Sequence, residues 1–298
     1  MNAVRMMCDV VGLNRSLRLC GVSKKMWYYV PRPRNVSPDP EVQDAVRDIA
    51  QQRPTYGTRR MAAQASRELN RPVNRKAVRR IFGRLGWSKP SRTKKEIIRL
   101  NKKVPEPEGP NEFWESDMSY IWCGADGWCY CFNVIDVFTR RWLAFVLEDR
   151  ATRREAIMAV NNAVAAAGTP LPDLTLRVDN GTQYTSRDFR SSMAALGITL
   201  EYICASTPEQ NGHIESFHKT LKKEYIWPRE FADLRGAREA MLEAFDYYNN
   251  RRIHSSLGYR TPSEFVEAWQ QQQQQQQQQE AEGKRPGKKL IFGGSACE

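Results

Sequence analysis

Three apolar stretches in quick succession narrow the folds open to this chain. They are "FWESDMSYIWC" from Phe113, "WCYCFNVIDVF" from Trp128 and "RRWLAFVLED" from Arg140. Each is rich in aromatic and β-branched residues, and "GADG" between the first two reads as a turn, so a three-stranded antiparallel meander is predicted. The periodicity then changes. Residues 152–167, "TRREAIMAVNNAVAAA", read as a helix stopped by Gly168 and Pro170. "LTLRVDNG" reads as a short buried strand ending in a turn, "SRDFRSSMAALG" as a helix and "ITLEYIC" as a strand. After the loop "STPEQNG" come the helical "NGHIESFHKTLKKE" and a long helix near residues 233–250. Three antiparallel strands followed by α-β-α-β-α predict an α/β class, a mixed sheet with helices on its faces.

The chain ahead of this region is different in kind. Residues 1–103 hold 25 Lys and Arg against 7 Asp and Glu, whereas the remainder holds 21 against 27. A basic first third joined to a mildly acidic remainder suggests a polyanion-binding module attached to something else. Residues 1–30 and 55–87 look helical. "TYGTRRMAAQASREL" is expected to start a helix capped by Thr58 and to end near Asn70. A second helix follows from Asn74, with Val78, Ile81, Phe82 and Leu85 at i, i+3, i+4 and i+7. Arg75, Lys76, Arg79, Arg80 and Arg84 occupy the opposite half of its wheel. Helix, short turn and a second helix with a cationic outer face is the helix-turn-helix pattern, the second helix being the groove reader. A solvated charged face is the alternative; five positive and no negative charges favour phosphate contact. "LRLCGVSKKMWYY" is a weaker second instance. Residues 91–112 read as a basic, Pro-rich linker.

Seven cysteines without a framework spacing, and no secretory signal, point to reduced thiols and a cytoplasmic setting. No apolar run approaches the roughly 18 residues of a membrane span, so no membrane partner is expected. The three histidines, His213, His218 and His254, all lie in the last third. A His-Cys zinc module at the basic end is therefore excluded.

Three acids sit where such a fold delivers side chains. Asp117 lies inside the first strand among Trp114, Tyr120, Ile121 and Trp122, where a carboxylate is expensive. Asp179 ends a strand and precedes the turn Asn180-Gly181, which shapes its presentation. Glu215 lies one turn into a helix, with 35 residues between it and Asp179. Converging carboxylates are hard oxygen ligands for Mg2+ or Mn2+. Two such ions about 3.5–4 Å apart can activate an attacking oxygen and stabilise a leaving one in phosphoryl transfer. Asp136 is a further acid nearby, for which a strand-end structural role is the simpler reading. For His254 and Arg252, DNA contact and a packing role stand side by side.

"WESD", "RVDNGTQYTS" and "NGHIESFHKTLKKE" closely resemble the catalytic core of DDE transposases and retroviral integrases. With "YGTRRMAAQ" upstream and "YYNNRRIHSSLGYRTPSEF" downstream, residues 10–266 are similar to the transposase of a bacterial insertion sequence of the two-reading-frame type. The resemblance implies a ribonuclease H-like integrase core over 113–269, preceded by an all-α helix-turn-helix DNA-binding region over 1–90. It implies Asp117, Asp179 and Glu215 as catalytic metal ligands, Mg2+ or Mn2+ (two ions per site) as cofactor, and cleavage and joining of transposon ends. The partners it implies are double-stranded DNA (inverted-repeat ends and target), further copies of the chain on that DNA, and the upstream-frame product of the same element. Many relatives carry Ser where this chain has Val178, and Thr where it has Ser119; neither change removes a ligand. The ten glutamines 270–279 and the tail to residue 298 lie outside the pattern, the tract either extending a helix or, with the tail, remaining disordered.

Within "NGHIESFHKTLKKE", His213 and His218 point about 140° apart on a helix and are poor joint ligands. Ile214, Phe217 and Leu221 form the expected packing stripe. Glu215, His218, Lys219 and Lys222 form an adjoining face, from which Lys219 and Lys222 would reach DNA phosphates. A nuclease or resolvase on the same fold, and a non-catalytic helix-turn-helix regulator, are the rival readings.

Overall fold

The computed structural model describes residues 2–30, 37–88, 107–168, 171, 173–204 and 211–281. Most of the expected linker, the loop 205–210 and the tail beyond 281 lie outside these residues, as does Pro170. Two compact units divide the chain, Met1–Pro40 and Glu41–Glu298. The first holds α1 (Asn2–Val11), α2 (Leu13–Leu19) and α3 (Lys24–Trp27). In α3, a single turn, the Ser23 hydroxyl accepts the Met26 N–H at 3.1 Å, an N-cap that satisfies one otherwise orphaned donor.

The second unit begins with three helices, α4 (Pro40–Gln52), α5 (Thr58–Glu68) and α6 (Arg75–Arg84). Helix α5 is capped by Gly57, not by Thr58, which is its first residue. The cap of α6 is Asn74, whose side chain accepts the Lys76 N–H at 2.8 Å. The stripe Val78, Ile81 and Phe82 is buried against Val46, Ile49, Met61 and Ala65 of α4 and α5. Each such side chain contributes about 1.5–3 kcal/mol on burial. Ile253, from far downstream, enters the same cluster. Its N–H is donated to the Tyr56 hydroxyl at 3.3 Å, so the three-helix region and the sheet region share a core.

The sheet has five strands, β1 (Phe113–Trp122), β2 (Trp128–Asp136), β3 (Trp142–Glu148), β4 (Thr175–Val178) and β5 (Thr199–Tyr202), in the order β3-β2-β1-β4-β5. The first three form the antiparallel meander, and β4 and β5 add in parallel beside β1. This is the mixed, ribonuclease H-like sheet that the resemblance implies. Strand alternation sends Trp114, Ser116 and Met118 of β1 to one face. There, α7 (Arg153–Ala167), α8 (Thr182–Thr185) and α9 (Arg187–Ala195) cover Phe132, Val134 and Leu176. The other face of β1 presents Glu115, Asp117, Ser119 and Ile121. Against it lie α10 (Gly212–Leu221), the π-helical turn Lys222–Ile226 and α11 (Leu234–Asn250), with Ile214, Phe217 and Leu221 buried as the stripe predicts. Cys123, Cys129 and Cys131 belong to this second core. Their role is packing: burial pushes the Cys131 thiol up to about 12.

Helix α12 (Pro262–Ala281) runs through the glutamine tract. Its start is anchored by Phe265 against Phe138 and by an ion pair between Arg67 and Glu264. Among the described residues, no helix is long and apolar enough to cross a membrane.

Candidate active site

The sheet's pleat and one helix bring the three expected acids to a common region. Asp117 is half-buried in mid-β1; its Oδ1 accepts the Met118 N–H at 2.8 Å. Asp179 follows β4, and its Oδ1 accepts the Gly181 N–H at 2.9 Å, closing an Asx-type turn. The Asn180 amide donates to the Ile203 carbonyl at 2.8 Å, tying that turn to the end of β5. Glu215 lies in the first turn of α10, with Oε2 3.3 Å from Lys219 Nζ.

The acids feel one another. Burial pushes Asp117 up to about 7, and the charges of Asp179 and Glu215 add to it, against the Met118 N–H and Lys222, which pull it down. Burial is the larger cause, and the like charges that add to it put Asp117 where a cation would be favourable. Three carboxylates brought to one region are oxygen donors that suit a hard divalent cation. As they stand they are not closed around one: among the described residues no group of three or more His, Cys, Asp or Glu is gathered tightly enough to hold a metal. The donor set fits the cation in charge and chemistry, while each acid turns one oxygen to its own chain.

Two groups that sequence reasoning passed over support this arrangement. His218, set aside there because it could not pair with His213, has Nδ1 3.5 Å from Asp117 Oδ2. Burial, with Lys222 adding, lowers its pKa to about 3. The ring is therefore neutral, and the contact is dipolar rather than an ion pair. Its Nε2 faces the Asn133 amide at 3.2 Å. Glu115 is fully buried, and its Oε2 accepts the Ile214 N–H at 2.7 Å, fixing the start of α10 to β1. The signal was available: strand alternation puts Glu115 on the face of Asp117. Asp136 is structural, accepting the N–H groups of Asn111 (2.7 Å) and Thr139 (2.6 Å). Arg252 and His254 are buried, Arg252 against both Glu224 oxygens at 2.8 and 3.0 Å.

Arg75, Lys76, Arg79, Arg80 and Arg84 are all exposed on α6. Arg75 and Arg79 face an open cleft of about 1000 Å³ that Arg47, Tyr56, Trp87 and Lys223 also line. Lys219 is exposed, and Lys222 is half-buried beside the acids.

Comparison with known proteins gives a consistent picture. The integrase core domain family matches residues 107–208 and, through a second profile of the same description, residues 196–262; an HTH-like domain matches residues 39–95. A 31.7 kDa protein of insertion element IS407 from Burkholderia multivorans is 29% identical over 268 residues, covering 89% of this chain and 94% of that protein. The transposase of insertion sequence IS904 from Lactococcus lactis is 31% identical over 169 residues, 56% of this chain and 65% of that one. Among solved structures, the catalytic core domain of HTLV-2 integrase in complex with magnesium is 18% identical, with a TM-score of 0.43, covering 54% of this chain and 99% of that one. An HTH-like region followed by an integrase core, in a chain matched almost end to end by an insertion-element protein, makes this protein a member of the insertion-sequence DDE transposases of the retroviral integrase superfamily.

Proposed function

We propose that the chain binds the ends of its own element through α6 and carries out divalent-metal-dependent 3′-end cleavage and strand transfer at Asp117, Asp179 and Glu215. The convergence of these three acids from β1, the end of β4 and the first turn of α10, close enough for the charges of Asp179 and Glu215 to act on Asp117, supports the reading. Water hydrolyses a phosphodiester at the transposon end and leaves a 3′-OH. That hydroxyl then displaces a 3′ oxygen in target DNA, forming one phosphodiester as another breaks, with no covalent enzyme intermediate. Asp117, Asp179 and Glu215 would hold Mg2+ or Mn2+, which supplies activation of the attacking oxygen and stabilisation of the leaving one. The chain's own residues position the reactants. The Gly181 N–H fixes the Asp179 carboxylate, neutral His218 orients Asp117, and Glu115 anchors the helix that carries Glu215. Lys222 meets the phosphates of bound DNA, and Lys219 joins it on exchanging Glu215 for a phosphate oxygen. Both ends must be handled together, so a multimer on DNA is expected.

Asp179→Ala should abolish Mg2+-dependent cleavage and the joining of precut ends while DNA binding persists in a gel-shift assay. Strand transfer retained by this variant would refute the assignment. Joining of precut ends by the parent chain separates a transposase from a nuclease or resolvase.

A further inference from the structure

On the side of α10 turned away from Glu215 lies a second cavity, of about 280 Å³, whose character is cationic. His213, Ser216 and Thr220 line it from α10. At 100° per residue these positions cluster on one face, and Glu215, His218 and Lys222 on the opposite one. Three guanidiniums reach the cavity, Arg60 from α5, Arg140 from the turn between β2 and β3, and Arg252 from the segment after α11. Arg252 is matched by Glu224 behind it. Arg60 and Arg140 form no ion pair among the described residues, and no Asp or Glu lines the cavity; Arg140 is hydrogen-bonded to His213 Nδ1, Glu115 and Asp136 act on it at longer range, and Glu224 acts on Arg60 likewise. His213 and His254 add no charge of their own, being held neutral by burial first and then by Arg140 and Arg177 at His213 and by Arg252, Arg60 and Arg140 at His254. Arg140 has φ 59°, in the left-handed region that residues with a Cβ rarely adopt. The backbone is thus strained at the residue that brings into the cavity a guanidinium whose partner there, neutral His213, carries no charge, a pattern typical of ligand sites. Exposed Ser216, Ser255 and Ser256 place hydroxyl donors at the mouth, and buried Arg252 and His254 form the floor.

Two unmatched guanidiniums with hydroxyl donors and no acid form a receptor for a compact oxyanion. We propose that this cavity is a phosphate-binding site separate from the three carboxylates, and that the phosphate it takes belongs to the bound DNA. Arg60 comes from the HTH-like region, whereas Arg140 and Arg252 come from the core. A backbone phosphate seated between them ties both regions to one DNA and braces α10 from behind. The DNA source rests on the function proposed above; the phosphate chemistry does not.

The test uses the full chain without metal, so it is blind to whether strand transfer succeeds. Affinity for a duplex of the element's terminal repeat is measured against salt for the parent, Arg60→Gln, Arg140→Gln and the double variant. One lost phosphate contact lowers the slope of log K against log salt by about 0.9. The affinity lost between about 50 and 200 mM salt then shrinks about 3.5-fold. Both single variants should show this, and the double variant should show no more, because both arginines hold the same phosphate. Arg60→Lys, which keeps the charge, should restore the slope and guards against a folding defect. In parallel, inorganic phosphate should raise the melting temperature of the parent above that in chloride of equal ionic strength, and not that of Arg60→Gln. Phosphate stabilisation with an unchanged DNA slope would assign the site to free phosphate. A doubled slope change in the double variant, or neither effect in any variant, would overturn the proposal.

Discussion

The buried pair Glu224–Arg252 offers a sharp test of how the segment after α11 is held against the π-helical turn that follows α10. Arg252 is 2% exposed and Glu224 9%, with two guanidinium–carboxylate contacts at 2.8 and 3.0 Å. The remaining neighbours of Arg252 give it no second anion. They include the Tyr248 ring, 5.8 Å from its guanidinium carbon, neutral His254, and the like charge of Arg60. Glu224→Gln keeps the volume and removes the charge, which leaves a guanidinium buried without a counter-ion. Breaking such a pair costs about 3–5 kcal/mol. At roughly 2–4 °C per kcal/mol for a unit of this size, Tm should fall by about 6–20 °C. Removing both charges together, as Glu224→Leu with Arg252→Met, should cost much less, since the attraction of the pair is largely offset by the desolvation of its members. Thermal unfolding followed by circular dichroism on the parent, Glu224→Leu, Arg252→Met and the double variant closes a cycle and gives the coupling, with Glu224→Gln measured beside them. A Tm for Glu224→Gln within about 2 °C of the parent would contradict a change of 3–5 kcal/mol. A double variant as unstable as the sum of the singles would refute the claim that the partners are coupled. Inorganic phosphate should recover part of the loss in Glu224→Gln, because the freed Arg252 lies on the floor of the cationic cavity.

Three further outcomes follow from named contacts. His218→Ala should lower Mg2+-dependent end cleavage by about 10–100-fold, the range for residues that orient metal ligands, with DNA binding unchanged. His218→Asn, whose amide nitrogen takes the place of Nδ1, should recover part of the activity in the same assay. Gly124→Ala should destabilise the fold by at least about 1–2 kcal/mol, read as a lower denaturation midpoint in guanidinium chloride, since φ is 51° there and a Cβ would strike the Phe231 and Ala232 carbonyls. Arg79→Ala should weaken DNA binding almost uniformly across sequences and lower the salt slope by about 1, measured by filter binding, if its contact is to phosphate.

How much of this was legible in the sequence depends on the range of the interactions involved. The meander and the stripes of α6 and α10 are written in local periodicity and formed as read, whereas the equally local capping box of Thr152 and Glu155 at the start of α7 was passed over. Helix α4 was not anticipated. Its apolar positions Val42, Val46 and Ile49 make a stripe, but it is interrupted by charges and begins at Pro40 after a Pro-rich run. The cap of α5 moved from Thr58 to Gly57 because helix ends are set by backbone geometry that neighbouring candidates satisfy almost equally. The carboxylates were found because each stands at a strand or helix position with its own local signature. The role of His218 was hidden, since its partner Asp117 lies about a hundred residues upstream and no spacing encodes that contact. The arginine cluster was invisible for the same reason: it is assembled from α5, the β2–β3 turn and the segment after α11.

Electrostatic range explains why such local clusters are needed. Residues 104–298 carry 21 Lys and Arg against 27 Asp and Glu, so the core taken whole repels a polyanion. The Debye length is about 8 Å at physiological ionic strength, so the basic first third can recruit DNA but cannot offset repulsion at Asp117 across the width of the fold. A phosphate brought to the three acids must be held by cations within a few ångströms. Lys222 meets that condition at the acids themselves, and a second cationic set borders the other side of the same helix, α10. Lys222 is close enough to lower the pKa values of Asp117 and His218, and the unmatched Arg60 and Arg140 lie across the helix. Helix α10, pinned at its start by Glu115, therefore stands between an acidic face that needs a cation and a cationic cavity that needs an anion. DNA threaded past both faces would meet the need of the cavity with a phosphate, while the acidic face would take a divalent cation. The same geometry implies that loss of the arginines should weaken end binding before it affects chemistry, whereas loss of Asp179 should do the reverse.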